Sequence, residues 1–199
     1  MPKIVDHDQY RRELLRQCFD LFAEKGYAAL TMRQIAQGLG VSTGTLYHYF
    51  PSKEALFEQL VREMSLQDIK NAIAVMSEKE ATLERAEVAL QFVAEHEDYF
   101  IKQNLIWVEF YQHQQRENKS PCQVFHDVWR ESEPQIAELL GIEDKPLLEF
   151  LGCVVDGILL HRMYEPEGFS FQDHARLLLE MLRLYLEKQQ ASESKVVDC

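Results

Sequence analysis

The chain has 199 residues, 46% of them hydrophobic and 27% charged, which is the composition of an ordinary soluble globular protein. Its net charge of −12 excludes a nucleic-acid binder that is basic over its whole surface. The charge is uneven, however, because the first 64 residues contain eight basic and eight acidic residues, so residues 65 to 199 carry the entire excess.

The four cysteines show no paired spacing, and neither a signal peptide nor an apolar run of about 18 residues occurs. We therefore expect a cytoplasmic protein without a membrane span, whose thiols stay reduced. Buried apolar cysteine is the expected role, with a redox switch as the alternative. The residues concerned are Cys18, Cys122, Cys153 and Cys199.

Few glycines and prolines, and apolar residues spaced three and four apart, predict an all-α chain. The first amphipathic helix is predicted to end at Lys25 and Gly26 and to pack against the next two helices. Its apolar positions are Leu14, Leu15, Cys18, Phe19, Leu21 and Phe22.

Two very short helices are predicted next, within residues 31–50. Thr31 is a candidate N-cap for the first, with Gln34 completing a capping box, and Gly40 ends that helix in a left-handed conformation. Ser42 is a candidate N-cap for the second, which Pro51 ends after about two turns. Two short helices joined by a glycine-containing turn are typical of a DNA-binding helix-turn-helix.

The second short helix is predicted to place Leu46 and Phe50 inward. An uncharged, hydrogen-bonding face is then left outward, which costs little to desolvate against a DNA groove. No carboxylate occurs between Glu24 and Glu54, so this surface is locally basic; the alternative is a chance gap in acidic residues. The outward residues are Thr43, Thr45, Tyr47 and His48.

The pattern T-x-R-x-I-A-x-x-x-G-V-S-x-G-T-L-Y-x-Y-F-x-S-K-E-x-L, from Thr31 to Leu56, closely resembles the N-terminal domain of TetR-family transcriptional regulators. The resemblance covers about the first third of the chain. It implies a DNA-binding domain at 8–68, a helical effector-binding and dimerisation domain at 69–190, and a homodimer on a pseudo-palindromic double-stranded DNA operator.

The same resemblance implies functional residues. Some are expected to position the protein on phosphates, namely Thr31, Arg33, Tyr47 and Lys53. Others are expected to lie nearest the base edges, with Gly44 allowing close backbone approach, namely Ser42, Thr43, Gly44, Thr45 and His48.

The rest of the chain is predicted to form body helices. One runs from a Ser52 cap to about Met76, a second ends near His96, and further helices begin after Pro121 and span about Leu147 to Tyr164 and Phe171 to Lys188. Residues 191–199 are predicted to be a disordered tail.

Aromatic residues are concentrated in the segment 99–114 and in the helix after it. They predict either ordinary core or an apolar cavity for a small apolar or aromatic effector. Two acids stand in apolar surroundings, where each either faces solvent, pairs across a dimer, or anchors a ligand. The candidate pocket residues are Phe100, Trp107, Glu109, Phe110, Tyr111, Phe125, Trp129 and Asp156.

The helix LLEFLGCVVDGILLHRMY is apolar nearly all round, and its small residues permit close approach of another helix. A helix that is apolar on every side has to be buried on every side, and this chain has few other elements to pack against it. We therefore expect this helix and the final helix to form a four-helix dimer interface with the same two helices of a second subunit. The candidate interface residues are Gly152, Gly157, Leu160, Leu178, Met181, Leu182 and Tyr185.

No catalytic motif occurs, and no histidine has a second His or Cys at metal-ligand spacing, so we expect neither an enzyme nor a cofactor or metal site. The favoured function is a repressor that a small molecule releases from its operator. Two alternatives remain: a helical small-molecule-binding protein or enzyme in which the short helices only pack, and a ligand-independent architectural DNA-binding factor.

Overall fold

The computed structural model describes residues 6–117 and 123–197, with side chains through residue 191. The all-α prediction is confirmed, and within those ranges no strand occurs. The helices are α1 (His7–Lys25), α2 (Met32–Gly38), α3 (Thr43–Tyr49), α4 (Lys53–Met76), α5 (Thr82–Glu95), α6 (Glu97–Arg116), α7 (Gln123–Leu140), α8 (Lys145–Tyr164) and α9 (Phe171–Val197).

Two boundaries differ from the sequence prediction. Helix α8 starts at Lys145 because Asp144 caps it, accepting from the Leu147 N–H at 3.2 Å, and Pro146 lies in the first turn, where its missing N–H is harmless. Helix α9 continues to Val197 through residues of the expected disordered tail, which contain no glycine or proline to end it. Residues 198 and 199 of that tail lie outside the described residues, and so do two of the four cysteines, Cys122 and Cys199.

The chain forms two compact units that differ from the consecutive domains expected at 8–68 and 69–190. Unit 1 comprises Met1–Lys70 and Lys102–Glu133, and unit 2 comprises Asn71–Ile101 and Pro134–Cys199. The first segment of unit 1 ends close to the expected boundary at residue 68, but parts of α6 and α7 join it.

The core of unit 1 is built from the apolar faces of α1 to α4 and α6. Cys18, Ile35, Leu46, Phe50 and Phe57 are all completely buried, which confirms the inward positions predicted for Leu46 and Phe50. Because α2 and α3 have only seven residues each, tertiary packing of these side chains supplies most of their helical stability.

Unit 2 contains two apolar clusters shared by α5, α8 and α9. Leu147, Leu148 and Leu182 belong to one, and Leu90, Ile158, Phe171 and Leu178 to the other. None of the described helices is long and apolar enough to cross a membrane.

Candidate nucleic-acid interface

The N-terminus of α2 is closed by its own side chains. The Thr31 hydroxyl accepts from the Gln34 N–H at 3.4 Å, and the Gln34 side chain accepts from the Thr31 N–H at 2.9 Å. This reciprocal capping box satisfies backbone donors that a short helix leaves unpaired. The sequence prediction is confirmed at this cap, and Gly40 takes the expected left-handed conformation at φ 67°.

The N-terminus of α3 is capped in the same way. The Ser42 hydroxyl accepts from the Thr45 N–H at 2.9 Å and lies 2.8 Å from the Thr45 hydroxyl. The two hydroxyls are therefore engaged with each other, and that of Ser42 also with the backbone. The cap predicted at Ser42 is confirmed, and it fixes the direction in which α3 leaves the turn.

The outer face of α3 is exposed and uncharged. Ser42, Thr43, Gly44 and His48 are exposed, Thr45 is half-buried, and half of the Tyr47 side chain is accessible. A Cβ built on Gly44 meets only the Ser42 hydroxyl, at 3.7 Å, so an alanine would fit there within the protein. The face therefore has the geometry expected of a helix that enters a groove, and its residues carry no charge to desolvate.

Histidine and tyrosine rings flank this face. The Tyr49 hydroxyl lies 2.7 Å from His7 Nδ1, and the His48 ring is 5.0 Å from the Tyr49 ring. The start of α1 is thus tied to the end of α3, which supports the orientation of the exposed face.

The position of Lys53 differs from the expected phosphate contact. Its ammonium donates to the carbonyl oxygens of Tyr27 and Leu30 at 3.1 and 2.9 Å and lies 4.2 Å from the centre of the Tyr27 ring. Lys53 therefore holds the loop between α1 and α2, and its side chain is half-buried. By contrast, Thr31 and Arg33 are exposed beside the turn.

Tyr27 lies at the centre of unit 1. Its ring is completely buried and contacts the rings of Phe57, Phe110 and His113, with centroids 5.0 to 5.2 Å apart. Burial, together with the negative charges of Glu54, Glu117 and Glu58, raises the pKa of its phenol. The loop between α1 and α2 is therefore held to α4 and α6 through one residue.

Glu109, a candidate ligand anchor in the sequence, is bonded in this structure to the protein's own backbone. One carboxylate oxygen accepts from the Tyr27 N–H and the other from the Ala28 N–H, both at 2.9 Å. The group pairs with backbone donors of the α1–α2 loop, which sequence patterns do not reveal. Phe110 is likewise core, since it is buried and stacks on Phe57 with centroids 4.2 Å apart.

The remaining candidate pocket residues do not form one group within either unit. Trp107, Phe125 and Trp129 are half-buried in unit 1, with the Trp107 and Phe125 rings 5.4 Å apart, while Tyr111 is exposed. Phe100 packs against the unit 2 core, and Asp156 is an exposed residue of α8 rather than a buried anchor.

The candidate dimer residues divide into two sets. Leu178 and Leu182 are buried in the clusters of unit 2, so within one subunit they belong to its core. Leu160, Met181 and Tyr185 are exposed, and a Cβ built on Gly152 or Gly157 meets nothing within 4 Å. The second set therefore leaves an open apolar surface on α8 and α9.

A groove of about 290 Å³ lies along this surface within unit 2. It is bordered by Phe150, Leu178 and Met181, and none of the candidate pocket residues lines it. At its edge the Tyr185 hydroxyl donates to Asp144 at 2.7 Å, and this hydrogen bond, with that from the Leu147 N–H, lowers the pKa of the Asp144 carboxyl.

A further group is not apparent from the sequence. Glu54, His113 and Glu117 each bring a potential ligand atom to one place in unit 1. His113 and Glu117 are four apart, a spacing visible in the sequence, but a carboxylate at that spacing is too common on helices to indicate a metal site without a second His or Cys. Glu54 comes from α4, so its proximity depends on the fold.

Comparisons with known proteins agree with this architecture. Residues 14–60 match the family model described as bacterial regulatory proteins, tetR family. The chain is 29% identical over 192 residues to the transcriptional regulator PksA of Bacillus subtilis, covering 90% of this chain and 91% of PksA. It is 48% identical over 63 residues to the transcriptional repressor KstR2 of Mycobacterium tuberculosis, covering 31% and 32% of the two chains.

A solved regulator from Saccharomonospora viridis in complex with choline has the same fold, with a TM-score of 0.68, 18% identity, and coverage of 89% of this chain and 97% of that one. Residues 14–60 are thus similar to the DNA-binding domain of the TetR family, and together with the helix-turn-helix geometry these similarities support a TetR-family transcriptional regulator.

Proposed function

We propose that this regulator is a repressor that binds a pseudo-palindromic operator as a homodimer in the cytoplasm, with α3 of each copy in a major groove. The observation that carries the proposal is the exposed, uncharged face of α3, held in place by the Ser42 cap and the buried Leu46 and Phe50. Two such helices read half-sites whose centres are about 34–36 Å apart, or somewhat wider.

The side chains proposed to contact DNA are those of the helix-turn-helix that solvent can reach. Side chains beside the turn and on α3 contact phosphates and set the register, namely Thr31, Arg33 and Tyr47. The capped start of α3 and its outer face lie nearest the base edges, namely Ser42, Thr43, Gly44, Thr45 and His48. Lys53 is not among the direct contacts, because its ammonium is bonded to two carbonyl oxygens of the α1–α2 loop.

Selection of bound fragments from the source genome tests DNA binding directly. We expect recovered fragments to share an inverted repeat, and Tyr47→Ala to weaken binding to all of them. Failure to recover any preferred sequence, or full binding by Tyr47→Ala, would count against this interface.

The homodimer is supported by an apolar stripe on each of the last two helices. On α8 the exposed residues Phe150, Cys153, Gly157, Leu160 and Tyr164 are spaced alternately three and four apart. On α9 the exposed apolar residues are Leu177, Met181, Leu184 and Tyr185. A spacing of this kind is typical of helices that pack in a four-helix bundle, and exposed apolar area of this extent marks an interaction site.

Gly157→Leu tests the dimer. Because nothing lies within 4 Å of a Cβ at Gly157, leucine fits the isolated subunit but blocks approach of a second helix. We expect sedimentation to show a shift toward monomer, and a matched Glu87→Leu change on the exposed face of α5 to leave the profile unchanged. An unaltered dimer in the Gly157→Leu variant would refute the interface.

We propose that a small apolar or aromatic effector contacts the half-buried pair of Trp107 and Phe125, with Trp129 one helical turn after Phe125 on α7, and releases the operator. Release requires only that the effector bind more tightly to the state with low DNA affinity. Trp107 and Trp129 are the two tryptophans of the chain, so intrinsic tryptophan fluorescence reports on this part of α6 and α7.

A fluorescence titration with aromatic compounds therefore tests effector binding, and choline belongs in the same panel because a protein of this fold binds it. We expect a compound that changes the emission also to release the operator, and Phe125→Ala to abolish both effects. If no compound changes the emission or the operator affinity, the ligand-independent architectural factor becomes the better account.

A further inference from the structure

Three metal-ligand side chains converge in unit 1, beside the helix-turn-helix. Glu54 lies in the first turn of α4, His113 in the last turn of α6, and Glu117 directly after α6. One donor atom from each lies within 4.8 Å of the other two. The group differs from an acidic cluster because it includes an imidazole, which is a common ligand of first-row transition metals.

The distance between His113 and Glu117 already suits a bound ion. His113 Nε2 lies 3.3 Å from Glu117 Oε1. A tetrahedral Zn²⁺ ion with bonds of about 2.0 to 2.1 Å holds its ligand atoms roughly 3.3 Å apart. Glu54 is only half-buried, and its long side chain can complete the set by a small rotation.

The buried Tyr27 hydroxyl is a second, independent observation. Tyr27 has no solvent exposure, and its hydroxyl has no hydrogen-bond partner among the described residues. Its ring lies 5.2 Å from the His113 ring, and the charges of Glu54 and Glu117 act on its phenol. Buried polar atoms normally have partners, so an unpartnered hydroxyl beside three ligand-type side chains indicates a polar species at this place.

We propose that Glu54, His113 and Glu117 bind one divalent transition-metal ion of the Zn²⁺ type, with water completing its coordination. One imidazole nitrogen and two carboxylate oxygens suit such an ion better than Ca²⁺ or Mg²⁺, which prefer oxygen ligands alone. The Tyr27 hydroxyl then serves as a hydrogen-bond partner for the metal-bound water, as outer-sphere groups commonly do.

The site would stabilise the part of unit 1 that holds α3 in position. Glu54 is in the turn of α4 that comes after the recognition helix, and its neighbour Lys53 holds the α1–α2 loop. A bound ion therefore joins the start of α4 to the end of α6 by coordinate bonds. Because the folded state holds the three ligands together and the unfolded state does not, the ion stabilises unit 1.

Calorimetric titration of the metal-free, reduced full chain with Zn²⁺ tests the proposal, together with the visible spectrum of the Co²⁺ form. We expect one ion per chain and a higher melting temperature with metal. His113→Gln and Glu54→Gln should each weaken Zn²⁺ binding by about tenfold or more, since each removes a ligand. Glu117→Gln should do the same, and because Glu117 is exposed the variant is expected to fold normally.

His161→Gln is the matched control. His161 and Glu165 form a similar pair four apart at the end of α8, with Nε2 and Oε2 3.6 Å apart, but no third ligand joins them in the described residues. We expect this variant to bind Zn²⁺ like the original chain, and the Co²⁺ spectrum to lack the strong thiolate bands that a cysteine ligand such as the exposed Cys153 would produce.

Two results would overturn the proposal. One is the absence of stoichiometric Zn²⁺ binding, and the other is equal affinity in the original chain and in the Glu117→Gln and His113→Gln variants. Tyr27→Phe gives an additional measurement, because it removes only the hydroxyl. We expect it to lower Zn²⁺ affinity several-fold while leaving the metal-free melting temperature undiminished, and a fall in that temperature without a change in affinity would contradict the role of Tyr27.

Discussion

Replacing Gly44 by alanine separates the stability of the helix-turn-helix from its binding to DNA. The added methyl group meets only the Ser42 hydroxyl at 3.7 Å, which is an ordinary contact, so packing within the protein is unchanged. Alanine is the better helix former, so the free energy of unfolding should rise by up to about 1 kcal/mol. In the proposed complex the same methyl lies between α3 and the base edges.

We expect Gly44→Ala to reduce operator affinity about tenfold or more, which corresponds to roughly 1.4 kcal/mol, because α3 has to withdraw from the groove. Fluorescence anisotropy with a selected operator measures the affinity, and urea unfolding measures the stability. Unchanged affinity in this variant would refute the close approach of α3 at Gly44.

Gly38→Ala is the matched control within the same motif. A Cβ at Gly38 lies 2.9 and 3.0 Å from the two terminal carbons of Leu21, so the leucine must move. Because those carbons are the far end of a flexible, half-buried side chain, the movement costs little, and we expect the free energy of unfolding to change by no more than about 1 kcal/mol, with little change in operator affinity under conditions where the protein is folded. Of the two substitutions, only Gly44→Ala should therefore weaken operator binding.

Three further predictions concern other residues of unit 1. Arg33→Ala should weaken binding to all sequences alike and reduce the slope of log affinity against log salt by about 1, since one phosphate contact is lost. Glu109→Gln should lower the free energy of unfolding in urea by about 1.5–3 kcal/mol, because an amide oxygen replaces a carboxylate that accepts from the Tyr27 and Ala28 N–H groups. Burial raises the pKa of the Cys18 thiol from 9.0 to about 12, so the folded state favours the protonated form. The contribution of this thiol to the free energy of unfolding should be fully present below about pH 9 and fall as the pH rises toward 12, by up to about 1.4 kcal/mol per pH unit. In urea unfolding at alkaline pH, Cys18→Ala should therefore show a shallower fall in that free energy.

Each of these has a contrary result. An unchanged salt slope would remove Arg33 from the phosphate contacts. Full stability of Glu109→Gln would mean that solvent replaces the two hydrogen bonds without loss. Identical alkaline profiles for the original chain and Cys18→Ala would show that the thiol does not titrate during unfolding.

The helix-turn-helix was predictable from sequence because its determinants are local. Thr31 and Gln34 are three residues apart, Ser42 directly precedes the helix that it caps, and Gly40 supplies the one positive φ between the helices. Each of these interactions forms within a few residues, so the residue types and their spacing are sufficient to predict it.

The pocket was less predictable because it depends on contacts between distant segments. The aromatic residues of α6 are numerous enough to suggest a cavity, but only the fold shows that Phe110 stacks on Phe57 while Trp107 stays half-buried. The partners of Glu109 are backbone N–H groups of a distant loop, which leave no signal in residue identity.

The outward positions of α3 have a practical consequence for changing what the protein recognises. The side chains of Thr43 and His48, which are proposed to lie nearest the base edges, are outside the buried core, whereas Leu46 and Phe50 on the opposite side anchor the helix. A library randomised at those two outer positions should therefore retain folded members in abundance. A variant that binds a different DNA sequence could therefore be selected by changing a few codons, while the buried residues of the domain stay the same.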